Sequence, residues 1–304
     1  MEAKKRENLA KIAMLAATII WGSSFLVVKN TVDVFPPNLL IASRFTLGCL
    51  ILSIVFHKRL KKIDKGYLVS GLIIGVFLYL AFAFQTTGIQ TTNPGKNAFL
   101  TAIYCVVVPF LFWIVARRKP DIFNVLAAVV CIVGIGLVSL TSNFTISPGD
   151  ALSLVGGVLF ACHIVSIARC AEGRDPILLT IMQFGVAAIL AWIVSLTTET
   201  FSVADITPEG VGGLLYLAVF STSVGLLLQN IGQKYVHASA AAIILSLESV
   251  FGVIFSVIFY GEQLTLRLVL GFALIFLAVV ISETKLSFLR RKKKNPSPQL
   301  GEME

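Results

Sequence analysis

Charge is what this chain has least of. Only 13% of its 304 residues are Asp, Glu, Lys or Arg, and 57% are hydrophobic, whereas a water-soluble domain is about a quarter charged and about half apolar. So much apolar surface does not fit inside one water-soluble core, and a mean hydropathy of +0.89 agrees. The chain therefore reads as a polytopic membrane protein. Ten-residue hydrophobic alternation is missing too, which points to spanning helices and away from barrel strands. The five cysteines (Cys49, Cys105, Cys131, Cys162, Cys170) lie in or at the ends of apolar runs and show no C-x-x-C spacing. They read as small packing residues, not as disulfides or metal ligands. There is no H-E-x-x-H and no metal-spaced cluster, so no metal and no cofactor are expected. Gly95-Lys96-Asn97 lacks the first glycine and the hydroxyl of a phosphate-binding loop, so the chain alone is not an ATP-driven pump and no ATPase subunit is implied. The net charge of +9 would suggest nucleic acid in a soluble protein. Here the basic residues sit between apolar runs, so the expected partner is membrane lipid and not nucleic acid.

What is present is a series of ten apolar runs: 12–28, 38–56, 67–89, 97–116, 122–140, 151–171, 177–196, 211–234, 239–260 and 264–281. The first resembles a signal peptide, but it carries Trp21 and is followed by Lys29 instead of a small-residue cleavage site, so it is taken as a retained helix. Pro36-Pro37, Pro94-Gly95, Pro120, Pro148-Gly149, Pro176 and Pro208 mark helix starts. Only Pro109 falls within a run, where it is expected to bend the fourth helix and free a carbonyl near Cys105. Trp113 and Trp192 fit interfacial aromatic belts.

Ten spans place both termini on one side. If that side is cytoplasmic, its segments hold 21 Lys and Arg, and the opposite side holds only Lys29, Lys96 and Arg267. This bias predicts a multi-pass protein of the cell (inner) membrane with both termini in the cytoplasm. The residues from 287 to 304 read as a disordered basic cytoplasmic tail.

A weak internal repeat runs through the chain. An offset of 139 sets Trp21-Gly22 on Phe160-Ala161, Pro37 on Pro176 and Arg44-Phe45 on Gln183-Phe184. An offset of 144 sets Gln85-Thr-Thr-Gly88 on Gln229-Asn-Ile-Gly232, Tyr104 on Glu248 and Arg118 on Glu262. Each copy holds five spans, and an odd number flips the second copy in the membrane. The expected fold is an all-α membrane protein of ten transmembrane helices in two inverted five-helix repeats, 1–145 and 146–286. That is a plan of secondary transporters, with the substrate site near the midplane between the halves.

Several stretches in this order resemble the EamA family of the drug/metabolite transporter superfamily. They are WGSSF (Trp21–Phe25), Arg44 of the second helix, GKNAFLTAIYCVVVP (Gly95–Pro109), SLESV (Ser246–Val250) and FYGEQLT (Phe259–Thr265). The resemblance spans about 15–283. It implies ten helices in two inverted repeats, cytoplasmic termini, a central cavity and movement of a small metabolite, often outward. The family's residue after the ninth-helix glutamate is usually proline. Here it is Ser249, which removes the reason for a kink there.

The candidate substrate-binding residues are polar or aromatic groups inside apolar runs. Glu248 sits mid-span, where a carboxylate costs several kcal/mol unless protonated, paired or wetted. It therefore faces a cavity or is a neutral, hydrogen-bonded structural group. Arg44 stays charged when buried; it either binds a substrate carboxylate or ties helices together, through carbonyls or through Glu248. Asn97, Thr101 and Tyr104 share one helix face, with Lys96 beside it. They line a vestibule or bond neighbouring helices. Trp21 with Ser24 offers a flat wall beside small residues, for a substrate ring or for packing. His163 is a proton carrier or a packed, hydrogen-bonded residue. Tyr79, Gln85 and Gln229 complete the set, and Glu262 reads as structural. Gly71, Gly75, Gly156-Gly157, Gly212-Gly213 and Gly252 read as helix-contact points. The expected activity is secondary active export of an amino acid, related metabolite or drug-like compound, with or without a coupling proton. The alternatives are a substrate-selective channel and an intramembrane hydrolase using Ser23 or Ser24 with His163.

Overall fold

The computed structural model describes residues 2–117, 119–140, 145–170, 173–235 and 238–285. The tail 287–304 and Arg118 lie outside the described residues. The main helices are α1 (Glu2–Thr31), α2 (Pro37–Val55), α3 (Lys65–Thr91), α4 (Pro94–Thr101 and Tyr104–Ala116) and α5 (Ile122–Ser139). They continue with α6 (Pro148–Cys170), α7 (Pro176–Thr198), α8, α9 and α10 (Leu266–Thr284). In α8, α-helical Pro208–Tyr216 and Gly225–Tyr235 flank the π-helical stretch Leu217–Val224. In α9, Ala238–Phe255 ends in the π-helical turn Ser256–Tyr260.

The starts follow the sequence. Pro37, Pro94, Pro148, Pro176 and Pro208 each open a helix, where the missing N–H has no intrahelical partner to lose. Asp64, Asp175, Thr207 and Thr265 cap their helices with side-chain oxygens, and Asp121 with Asn124 forms a reciprocal capping box.

Eight of these helices, α1 to α8, are long and apolar enough to cross a membrane. The ten spans expected from the sequence are therefore not all matched by length. The apolar parts of α9 and α10, Ile244–Tyr260 and Leu266–Ser282, are shorter, covering roughly 25 Å at about 1.5 Å per residue against about 30 Å of hydrocarbon. Large apolar side chains such as Ile54 (71% exposed), Ile132 (68%) and Leu196 (77%) lie on the outside of the bundle. That arrangement suits lipid and not water.

The fourth helix breaks at Ala102-Ile103 and not at Pro109. Cys105 N bonds back to Ala102 O and Val106 N to Ile103 O, a tighter three-residue pattern placed one to two turns before the proline ring that crowds the Cys105 carbonyl. α9 runs as an unbroken α-helix through Glu248 and Ser249, whose hydroxyl donates to Ser246 O (2.8 Å).

Polar ties define two ends of the bundle. At the basal end, Arg59 pairs with Asp175 and Lys285 with Asp121. At the distal end, Lys29 donates to Ile89 O and Gln90 O, and Glu199 accepts from the Asn38 and Leu39 amides. Lys96 and Thr92 hold the fully buried Asp150 there as well. α2 packs on α7 and α5 on α10, while α1 meets α8 and α9, and α6 meets α3 and α4. Glycines permit the closest crossings: a Cβ on Gly71 would lie 2.5 Å from Met182 Cβ, and one on Gly22 2.4 Å from Phe251 Cβ. Gly212, expected as a contact point, has nothing within 4 Å.

Candidate functional site: a central cavity

A cavity of about 490 Å³ lies between α1, α2, α3, α4, α6, α8 and α9. Nine of the ten residues expected at a substrate site line it: Trp21, Ser24, Arg44, Gln85, Thr101, Tyr104, His163, Gln229 and Glu248. Tyr79 does not. Its hydroxyl donates to Asn38 Oδ1 (3.0 Å), a helix tie between α3 and α2.

Most of the polar groups are held by a neighbouring helix. Arg44 is 2% exposed; its Nε donates to Thr222 Oγ1 (2.9 Å) and its Nη2 to Ser221 Oγ (3.1 Å). The guanidinium also lies over the Phe82 ring, 4.8 Å from its centroid. No carboxylate pairs with it among the described residues, so the Arg44–Glu248 tie weighed from the sequence is not made. Ser221 and Thr222 belong to the π-helical stretch of α8. There the backbone bonding shifts, and the Ser221 carbonyl accepts the Trp21 indole N–H (2.9 Å). The indole rests on Gly225, where a Cβ would come within 2.6 Å of Nε1.

Glu248, 8% exposed, accepts from the Tyr104 hydroxyl through Oε1 (2.9 Å). His163 Nε2 lies 2.8 Å from Gln183 Oε1, deep between α6 and α7. Asn97 donates to Ser153 Oγ (2.7 Å) and Gln85 O (3.2 Å), and Gln85 Nε2 donates to Thr101 Oγ1 (3.3 Å). The shared face of α4 therefore both lines the cavity and bonds to its neighbours. Ser23 contacts Tyr216 OH and Ile20 O, and Ser24 donates to Trp21 O. Neither is bonded to His163, so the serine–histidine pair of a hydrolase is not assembled.

The lining repeats itself. Trp21, Ser24, Phe25 and Val28 on α1 are matched 139 residues on by Phe160, His163, Ile164 and Ile167 on α6, all facing the cavity. At 144 residues, Phe82 and Gln85 are matched by Leu226 and Gln229, and Thr101 and Tyr104 by Leu245 and Glu248. Two matched pairs touch each other: Tyr104 bonds Glu248, and the Phe45 and Phe184 rings meet at 5.3 Å. Ser221 and Thr222 are not among the residues expected from the sequence, although Ser221-Thr222-Ser223 visibly breaks the eighth apolar run. Gln183, which the 139-residue offset sets opposite Arg44, is the partner of His163.

A bundle of mostly membrane-length helices around a largely apolar cavity with a few fixed polar groups defines a multi-pass membrane protein with a central cavity. The model of the EamA-like transporter family matches the chain twice, over residues 8–140 and 147–284, and the chain belongs to that family. It is 34% identical over 273 residues to an uncharacterized transporter of Archaeoglobus fulgidus, covering 90% of this chain and 85% of that one. It is 28% identical to the uncharacterized transporter YyaM of Bacillus subtilis, covering 95% and 97%. A solved crystal structure superposes with a TM-score of 0.64 at 17% identity over 94% of this chain and 99% of the other, a likeness of fold.

Proposed function

We propose that the chain is a secondary active transporter that moves a small metabolite, amino acid or drug-like compound by alternating access, in the direction of export. The observation that carries this reading is the self-matching cavity wall. Residues related by a two-fold axis touch only near that axis, and the Tyr104–Glu248 and Phe45–Phe184 contacts support such a relation. The double family match supports two five-helix copies, 1–145 and 146–286, the second inverted. Inverted copies give a bundle two equivalent packings, open at opposite ends, which a simple pore does not need. The basal end carries most of the basic residues and is taken as cytoplasmic, in the cell membrane.

The lining residues divide the work. The Arg44 guanidinium, buried without an acidic partner among the described residues, is suited to an anionic group of the substrate. Glu248, anchored by Tyr104 on the axis, is suited to a cationic group or to a coupling proton, because its surroundings alternate between wet and dry. The aromatic and aliphatic walls take the apolar body. The test is a thermal-shift screen of purified protein against small metabolites, followed by counterflow in proteoliposomes with any hit. Saturable counterflow is expected. Downhill flux that never saturates and shows no counterflow is the outcome of a channel, and product formed by detergent-purified protein without a gradient is the outcome of an enzyme.

A further inference from the structure

We propose that Glu262 is the latch of the distal mouth: its carboxylate holds α4 against α9 while the cavity is shut at that end, and lets go when it opens. The proposal rests on the alternating-access reading above.

Gly261, with φ 76°, ends the π-helical turn of α9 and sends the next residue back across the bundle. Glu262 is 5% exposed. Its Oε2 accepts from the Gly95 amide (3.1 Å) and from Ser256 Oγ (2.5 Å). Gly95 is the second residue of α4, where backbone N–H groups have no intrahelical acceptor and a negative charge is favoured. The approach depends on the absence of a side chain. A Cβ at position 95 would lie 2.6 Å from Oε2 and 3.0 Å from Val253 Cγ2; a turn lower, one on Gly252 would lie 2.7 Å from Ala98 Cβ. The adjacent Lys96 is engaged with Asp150 on α6, so it does not compete for the carboxylate.

Among the described residues the basal end shows no counterpart of this device. The residue 144 positions before Glu262 is Arg118, which has no acceptor to offer a helix start. The second segment of α4, Tyr104–Ala116, packs on α5, α6 and α10. Tyr104 donates from it to Glu248 on α9. The cavity extends down past that bond to Phe112, Ile167 and Gln229. Matched segments thus meet at the distal end and part at the basal end. Glu262 Oε1 is buried with no hydrogen-bond partner among the described residues. A carboxylate satisfied on one oxygen only is held less firmly than one satisfied on both, which suits a contact made and broken in every cycle.

The experiment is distance measurement by double electron–electron resonance in nanodiscs, in a background without the five native cysteines. One nitroxide pair at the exposed Asn93 and Gln263 reports the distal mouth; a second at the exposed Val115 and Tyr235 reports the basal end. In E262A the ratio of long to short distal distances is expected to rise about tenfold, the effect of losing a charge-assisted hydrogen bond, while the basal distances shorten. E262Q, which keeps an acceptor but no charge, is expected between wild type and E262A, and it decides the matter if E262A does not fold. Distal distances unchanged in both variants overturn the proposal, as does broadening of both pairs together, which marks general loosening. Counterflow on the same samples separates the two claims. Saturable wild-type counterflow with unchanged distal distances removes the latch alone, whereas wild-type flux without counterflow removes the transport reading beneath it.

Discussion

Position 44 is arginine, and its counterpart 139 residues on, Gln183, is neutral; position 104 is tyrosine, and its counterpart 144 residues on, Glu248, is acidic. Around these sites the two halves agree. Phe45 and Phe184 are both fully buried, Gln85 matches Gln229, and Trp21 matches another aromatic, Phe160. Packing is shared between the halves and charge is not. The proposed carrier would call for this pattern: a repeated backbone would let either end open, while anionic and cationic parts of an asymmetric ligand would each need one partner.

The comparison breaks first at Arg44. Arg44→Gln gives the first half the residue of the second. It is expected to lower transport efficiency about 10- to 100-fold, the equivalent of one charged hydrogen bond at roughly 1.5–3 kcal/mol, measured as kcat/KM in proteoliposomes. Gln183→Ala is expected to change it far less. The glycines sharpen the packing side. Gly22→Ala drives a Cβ to 2.4 Å of Phe251 Cβ and is expected to destabilise by about 1–3 kcal/mol in detergent unfolding. Gly212→Ala, in open space, is expected to stay within about 0.5 kcal/mol. Tyr104→Phe removes the hydroxyl that donates to Glu248 and is expected to cost about five- to tenfold in transport, from a hydrogen bond of roughly 1 kcal/mol.

A further small effect lies outside the membrane. Burial raises the Asp121 carboxyl, but the hydrogen bond and charge of Lys285, with the Asn124 and Phe123 amides, outweigh it, and the group ends below its ordinary range. The depressed value means that its stabilisation is present above the unfolded carboxyl's titration and is lost as pH falls through the folded one. Lys285 is 57% exposed, so Asp121→Asn is expected to cost under about 1 kcal/mol at neutral pH and to flatten the acid limb of a melting curve.

Helix starts were legible because proline and capping residues act locally: Pro37, Pro94, Pro148, Pro176 and Pro208 each open a helix. The α4 face was legible because Asn97, Thr101 and Tyr104 recur at helical spacing. Other features depend on partners far along the chain. Tyr79 turns to Asn38 and leaves the cavity, and the two residues are 41 apart. Ser221 and Thr222 reach Arg44 from a π-helical stretch, whose longer bonding repeat moves side chains off the 3.6-residue pattern. Pro109 announced a bend, but the backbone yielded earlier, at Ala102-Ile103, where Gly157 of α6 lets the chain approach: a Cβ there would lie 2.7 Å from Ile103 Cγ1 and 2.8 Å from Thr101 O.

The most direct test of the account is substrate uptake driven by a pH gradient in proteoliposomes, comparing wild type with Glu248→Gln, which keeps the size and the Tyr104 contact but cannot ionise. Counterflow that persists while gradient-driven accumulation disappears is the predicted result. Accumulation at the wild-type rate with the same proton dependence would contradict a functional acid in the cavity.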